Sequence, residues 1–130
     1  MSTRTFRCTL SAPRTIQSRF RVLLERLIAA GERLVTDAEV LQEILHRYAA
    51  IQGREAIAPA LRLMLEIVDD VFPIEKRDVL RAGEIAQGPN LLSARDSLHI
   101  AVLERHRIPS ILSFDSDFDR WPGLKRVYRI

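Results

Sequence analysis

The spacing of apolar residues along the chain predicts helices that alternate with short strands. Apolar residues recur every three or four positions in the helical stretches and form short runs in the strand-like ones. The predicted helices cover residues 20–28, 36–48, 55–67, 75–86 and 93–106. The predicted strands cover residues 33–35, 71–74, 110–114 and 125–128. Because strands separated by helices usually pair in parallel, the sequence predicts an α/β fold with a mostly parallel central sheet flanked by helices.

Two of the predicted helices begin with a capping pattern. Residues Thr36–Glu39 form a capping box, in which the hydroxyl and the carboxylate each accept a hydrogen bond from a free backbone N–H group. Residues Ser93–Asp96 form a similar pattern, with Asp in place of the usual Glu or Gln. We therefore expect Thr36 and Ser93 to be the N-caps of their helices.

Length and composition are those of one domain spanning residues 1–130. The chain has 130 residues, of which 47% are hydrophobic and 28% charged. Its one cysteine, Cys8, excludes an internal disulfide framework and is typical of a reducing cytoplasm. No apolar run is as long as the roughly 18 residues of a membrane span. We therefore expect a cytoplasmic protein that is not bound to a membrane.

Positive charge is concentrated at the start of the chain. Twenty Lys and Arg residues against seventeen Asp and Glu residues give a net charge of +3. Residues 1–24 contain five arginines and no acidic residue. This segment is either a solvated basic tail or an arm that binds nucleic acid, and its composition is compatible with both.

Four acidic residues are candidates for a ligand site, because open α/β sheets bind ligands beyond the carboxyl ends of their strands. Asp115 and Asp117 directly follow a predicted strand, Asp96 lies in the first turn of a predicted helix, and Glu43 lies two turns into another. Each also has a structural explanation, since an acid can cap a helix, form a turn or lie at the boundary with solvent. If they converge, their oxygens are the hard ligands that Mg²⁺ or Mn²⁺ prefers, and such an ion activates water against a phosphodiester.

The histidines do not form a recognisable metal motif. His46, His99 and His106 lack the spacing of zinc ligands, and a single cysteine makes a structural zinc site improbable. His99 follows Asp96 by three positions on the same predicted helix. We interpret it as a residue of the helix surface, or as a support for a ligand, rather than as a catalytic base.

Three segments, taken together and in order, resemble the PIN domain. They are Leu34–Ile44, Leu92–His99 and Leu112–Phe118. The resemblance covers about residues 20–126. Within the family, the chain most resembles the VapC-type toxins of bacterial and archaeal toxin–antitoxin pairs. It implies a Mg²⁺-dependent endoribonuclease, with Mn²⁺ as a possible substitute, that cuts RNA and is neutralised by a cognate VapB-type antitoxin.

The same resemblance implies roles for the four acids. Glu43, Asp96 and Asp115 match the second, third and fourth acidic positions of the family, and Asp117 matches a frequent additional acid. We therefore expect the first three to converge on one catalytic and metal-binding pocket, with Asp117 at its rim.

Two of the predicted helices carry apolar surfaces that we expect to bind other chains. Segments 22–28 and 57–68 carry more apolar residues than one small sheet needs to bury. Exposed apolar patches usually mark contacts with other chains. We therefore expect a homodimer that also binds its antitoxin through these helices.

The N-terminus departs from the family pattern. PIN domains open with a strand that ends in Asp-Thr-Asn or Asp-Ser-Asn, whose Asp is a metal ligand, whereas residues 1–24 contain no acid. Instead, Phe6, Cys8 and Leu10 alternate with polar residues, as in a half-buried strand. With suitable codons for residues 1–12, a frame shifted by two bases encodes Val-Asp-Thr-Asn. Residues 1–19 are therefore either a genuine N-terminus that departs from the family or the product of a frameshift, and the frameshift is our hypothesis.

Two other functions are compatible with the sequence. A chain without the first acid could be a catalytically impaired protein that only binds antitoxin or RNA. A small α/β phosphotransfer or regulatory domain has less support, because it would need an acidic strand end early in the chain.

Overall fold

Five strands and five helices form the part of the chain that the computed structural model describes, residues 3–6 and 14–128, with side chains for 21–50 and 53–128. The strands are β1 (Thr3–Phe6), β2 (Arg33–Asp37), β3 (Asp70–Phe72), β4 (Ser110–Leu112) and β5 (Lys125–Val127). The helices are α1 (Arg14–Ala29), α2 (Ala38–Arg47), α3 (Ile57–Ile67), α4 (Lys76–Gln87) and α5 (Ala94–Arg105). Short helical turns cover Tyr48–Gln52, Arg54–Ala56 and Ser116–Arg120. None of these helices is long and apolar enough to cross a membrane.

The strands form one parallel sheet in the order β3-β2-β1-β4-β5. Since all of them run the same way, their carboxyl ends lie at one edge. β2 and β4 end at this edge, and α5 begins there. The acidic residues of the sequence motifs lie at the same edge. The predicted α/β class with a parallel sheet is confirmed.

Helices cover both faces of the sheet. On one face, buried residues of α1, α2 and α3 pack with Leu34 and Leu112. On the other face, residues of α4 and α5 pack with Val35 and Ile111. Neighbouring residues of β2 and β4 thus lie on opposite faces, as the two-residue period of a strand requires. The sheet is therefore buried on both sides.

An ion pair between the buried Asp78 and the partly buried Arg105 holds α5, which carries Asp96, against α4. Arg105 donates to both carboxylate oxygens of Asp78, from Nε at 2.7 Å and from Nη2 at 2.9 Å. Burial raises the pKa of Asp78, but the hydrogen bonds from Arg105 outweigh it and hold that pKa below its ordinary value. The pair therefore stabilises the fold at neutral pH, and this contribution is lost as the pH falls below about 4.

The N-cap of α2 is Asp37, so the prediction of Thr36 was wrong. Asp37 Oδ1 accepts a hydrogen bond from the Val40 N–H group at 3.0 Å. The reason is that β2 continues through Thr36 and Asp37, which pair with Val71 and Phe72 of β3. A tertiary contact thus lengthens the strand by two residues and moves the start of the helix.

β1 occupies the centre of the sheet, although its sequence is Thr-Arg-Thr-Phe. A strand buried on both faces of a parallel sheet is usually apolar, so this strand is atypical for its place. Of the residues predicted to alternate in a strand, Phe6 ends β1, whereas Cys8 and Leu10 lie outside the described residues. The basic segment 1–24 is likewise described only in part, and its residues from 14 onwards belong to α1.

Candidate metal centre

Asp96 lies in the first turn of α5, where the helix cap fixes its position. Ser93 is the N-cap, as predicted, and its hydroxyl accepts a hydrogen bond from the Asp96 N–H group at 3.1 Å. The Asp96 side chain is buried. The positive end of the helix dipole stabilises a carboxylate at this place.

Asp115 and Asp117 lie on the loop that follows β4. β4 ends at Leu112, two residues before the predicted end, and the Ser113 hydroxyl then accepts a hydrogen bond from the Asp115 N–H group at 3.0 Å. Asp115 Oδ1 in turn accepts a hydrogen bond from the Asp117 N–H group at 2.9 Å. Consecutive side-chain-to-backbone bonds of this kind stabilise a tight loop.

The turn that carries Asp117 is anchored on both of its sides. Phe118 is completely buried in the core. Arg126 of β5 donates to both carboxylate oxygens of Asp119, at 2.9 and 3.0 Å. These bonds lower the pKa of the Asp119 carboxyl, which therefore stays ionised and paired at neutral pH. The loop thus presents Asp117 from a fixed base.

Asp96, Asp115 and Asp117 form one group. Each offers a carboxylate oxygen, and these oxygens all lie within 4.8 Å of one another. Like charges at this separation repel one another, and a divalent cation relieves that repulsion. Three converging carboxylates also match the preference of Mg²⁺ and Mn²⁺ for oxygen ligands. The donor set therefore fits a hard divalent cation.

Glu43 lies beside α5 in a second polar cluster, with His99 and Asp37. His99 Nδ1 lies 2.6 Å from Asp37 Oδ2, and His99 Nε2 lies 3.3 Å from Glu43 Oε1. Arg95 Nε lies 3.2 Å from the same Glu43 oxygen. Glu43 thus contacts Arg95 and His99 of α5, which precede and follow Asp96 in the sequence.

Two arginines lie next to these acids and keep about half of their side chains exposed. Arg95 contacts Glu43 and, at 3.7 Å, Glu39. Arg120 contacts Asp117 Oδ1 at 3.2 Å and donates to the Leu91 carbonyl at 2.9 Å. Arg120 therefore connects the loop before α5 to the turn that carries Asp117.

Known proteins are similar to this chain in sequence or in fold. A family model of the PIN domain matches residues 12–124. The chain belongs to the PIN-domain family. Ribonuclease VapC13 of Mycobacterium tuberculosis is 55% identical to this PIN domain over 105 residues, which are 81% of this chain and 80% of the relative. The predicted resemblance to VapC-type proteins is confirmed.

Two solved structures share the fold of this PIN domain at low sequence identity. VapBC-1 from nontypeable Haemophilus influenzae aligns with 98% of this chain and 97% of its own, with a TM-score of 0.71 and 14% identity. A toxin–antitoxin complex from Klebsiella pneumoniae aligns with 92% of this chain and 93% of its own, with a TM-score of 0.64 and 16% identity. Both confirm the predicted fold.

In this PIN domain, three of the four predicted site residues come together. Asp117, whose side chain is about half exposed, belongs to the group with the buried Asp96 and with Asp115, and Glu43 is not part of that group but contacts His99. Asp37 was not among the predicted site residues. The sequence placed it inside the predicted capping box of α2, and its contact with a residue 62 positions away left no local signal.

Proposed function

We propose that this chain is a VapC-type toxin, an endoribonuclease that cleaves RNA phosphodiester bonds in the cytoplasm. The observation that supports this most is the group formed by Asp96, Asp115 and Asp117 at the carboxyl edge of the sheet. The same chain is 55% identical to ribonuclease VapC13. A binding protein without catalysis would not need three repelling carboxylates in one place.

In this proposal, Asp96, Asp115 and Asp117 hold Mg²⁺, for which Mn²⁺ can substitute. Their oxygens are of the type that these ions select, and their mutual repulsion favours binding. When bound, such an ion lowers the pKa of a water molecule and stabilises negative charge on the phosphate. Glu43 contributes a further carboxylate from α2, beside the turn of α5 that carries Asp96.

Arg95 and Arg120 would bind the RNA backbone at the two sides of the carboxylate group. Each is paired with an acid of the site and still has about half of its side chain exposed. A guanidinium has further N–H donors, which match phosphate oxygens in geometry. Two positive charges beside the acids would also offset the repulsion between these acids and the RNA.

The proposed activity is tested by removing the metal. The purified protein should degrade total RNA in Mg²⁺, because the carboxylates need the ion to activate water. EDTA should abolish the cleavage, and added Mn²⁺ should restore it. Asp96→Asn, purified in the same way, is the blank for contaminating nucleases. Cleavage that persists in EDTA, or that the blank shows equally, would contradict the proposal.

The proposed partners are a VapB-type antitoxin and a second copy of the chain. Large apolar side chains are exposed on α1 and α3, among them Ile28 (50% exposed) and Leu63 (59% exposed). Other leucines of α1 are buried against the sheet, so these two helices are apolar on more than one side. Apolar surface of this kind favours contact with other chains.

The substitution Leu63→Glu should weaken both contacts. A charge placed on an apolar interface loses its hydration when the partner binds, which disfavours binding. Light scattering should show a dimer for the unaltered chain and a monomer for the variant, and less antitoxin should co-purify with the variant. Val79→Glu is the matched control, because Val79 is similarly exposed on α4. A clean monomer without co-purified antitoxin in the unaltered protein would contradict this proposal.

A further inference from the structure

His99 makes two polar contacts with side chains outside the group formed by Asp96, Asp115 and Asp117. Its imidazole is 2% exposed and lies between two carboxylates, Asp37 at 2.6 Å and Glu43 at 3.3 Å. Asp37 is equally buried, and Glu43 is 14% exposed. Burial without hydrogen bonds would be costly for all three side chains. Together they form a chain of polar contacts between α2 and α5.

The two contacts of the His99 ring differ in length. A ring nitrogen that carries a proton donates to a carboxylate oxygen, which only accepts. Bonds of this type to a charged acceptor are short and strong, which agrees with the 2.6 Å separation from Asp37. His99 is therefore oriented mainly by Asp37, and its other ring nitrogen, Nε2, lies 3.3 Å from Glu43 Oε1.

Asp37 is itself held in place. Its second oxygen, Oδ1, accepts a hydrogen bond from the Val40 N–H group and caps α2. Both oxygens of this carboxylate are thus used, one by the start of α2 and one by His99 of α5. The imidazole has little freedom to rotate, because Asp37 fixes one of its edges.

Glu43 gains a defined position from this arrangement. A glutamate side chain has several rotatable bonds, and ordering it costs conformational entropy. His99 and Arg95 both contact Glu43 Oε1, and Asp96 lies between these two residues in the sequence of α5. The Glu43 carboxylate is therefore held against the same part of α5 that presents Asp96 to the other acids.

We infer that His99 is a positioning residue, which holds the Glu43 carboxylate beside the group formed by Asp96, Asp115 and Asp117. This inference rests on the proposed metal site. His99 acts through Glu43, and Asp37 sets the orientation of His99. A histidine that only filled the core would affect stability, but its effect on metal binding would not depend on Glu43.

The test is a double-mutant cycle on Mn²⁺ affinity, measured by calorimetry without RNA. His99→Gln should weaken Mn²⁺ binding by about 10–100-fold, as is typical when a partner of a metal-binding carboxylate is lost. Glu43→Gln should also weaken it. In the Glu43→Gln background, His99→Gln should have little further effect, because the two residues act as one unit. His46→Gln, at an exposed position of α2, is the matched control and should change nothing.

Two results would overturn the inference. One is an unchanged Mn²⁺ affinity in His99→Gln. The other is the same loss from His99→Gln whether position 43 holds Glu or Gln. If His99→Gln does not fold, nitrogen NMR of Glu43→Gln gives the answer. The ring nitrogen signals of His99 should shift when Glu43 is replaced, and unshifted signals would overturn the inference.

The inference and the proposed function can fail separately. If the protein binds Mn²⁺ with the expected coupling but cuts no RNA in any metal, the proposed function fails while the role of His99 stands. If it cuts RNA and the two substitutions act independently on Mn²⁺ affinity, the role of His99 fails while the proposed function stands.

Discussion

The substitution Asp96→Asn should lower the rate of RNA cleavage at least about 100-fold, because loss of a mere partner of a metal ligand already costs ~10–100-fold. The change keeps the shape of the side chain and removes one charge from the group that would hold the cation. The Ser93 cap should persist, because it uses the backbone N–H group of residue 96.

The folded state should not suffer from the same substitution. Without divalent ions, removing one charge relieves the repulsion between the three carboxylates but also removes the favourable interaction of Asp96 with the α5 dipole, so the melting temperature should change little. Glu66→Gln removes a charge from an exposed position of α3 and is the matched control, with full activity expected. A fully active Asp96→Asn variant would contradict the site, and a lowered melting temperature would contradict the electrostatic account of it.

Restoring the family N-terminus should produce the second large effect. β1 is the central strand and pairs with β4, whose following loop carries Asp115, yet residues 1–24 contain no acid. An Asp at the carboxyl end of a neighbouring parallel strand would add a ligand to the group. Replacing β1 with an apolar strand that ends in the family's Asp-Thr-Asn should therefore raise cleavage by at least about 10–100-fold.

The control for this replacement is the same segment with Asn in place of the restored Asp. Both versions exchange a polar central strand for an apolar one, so both should unfold at a higher temperature. Only the version with Asp should gain cleavage activity. Equal activity of the unaltered chain and the Asp version would show that the first acid is dispensable here and that the frameshift interpretation has no functional consequence.

The succession of helices and strands could be predicted from the sequence because it depends on local patterns. The apolar run of β4 and the Ser93 cap of α5 each lie within a few residues of chain. Asp96, Asp115 and Asp117 could be proposed, together with Glu43, because these residues match acidic positions of the PIN family. In the structure Asp115 and Asp117 follow β4 and Asp96 begins α5, which places them at the carboxyl edge of the sheet.

The rest depends on contacts between distant residues. Thr36 could not be recognised as a strand residue, because its pairing with Val71 of β3 decides where β2 ends. The pairing of Asp37 with His99 joins positions 62 apart. In the sequence, nothing near His99 shows its partners, and only the fold, which brings Asp37 at the end of β2 and Glu43 of α2 next to α5, gives it two carboxylates.

The most direct measurement is the anomalous scattering of Mn²⁺ in crystals of this protein. The account predicts a peak in contact with carboxylate oxygens of Asp96, Asp115 and Asp117, and loss of that peak in crystals of Asp96→Asn. A Mn²⁺ peak elsewhere in the molecule and none at these three residues, under conditions in which Mn²⁺ supports RNA cleavage, would contradict it.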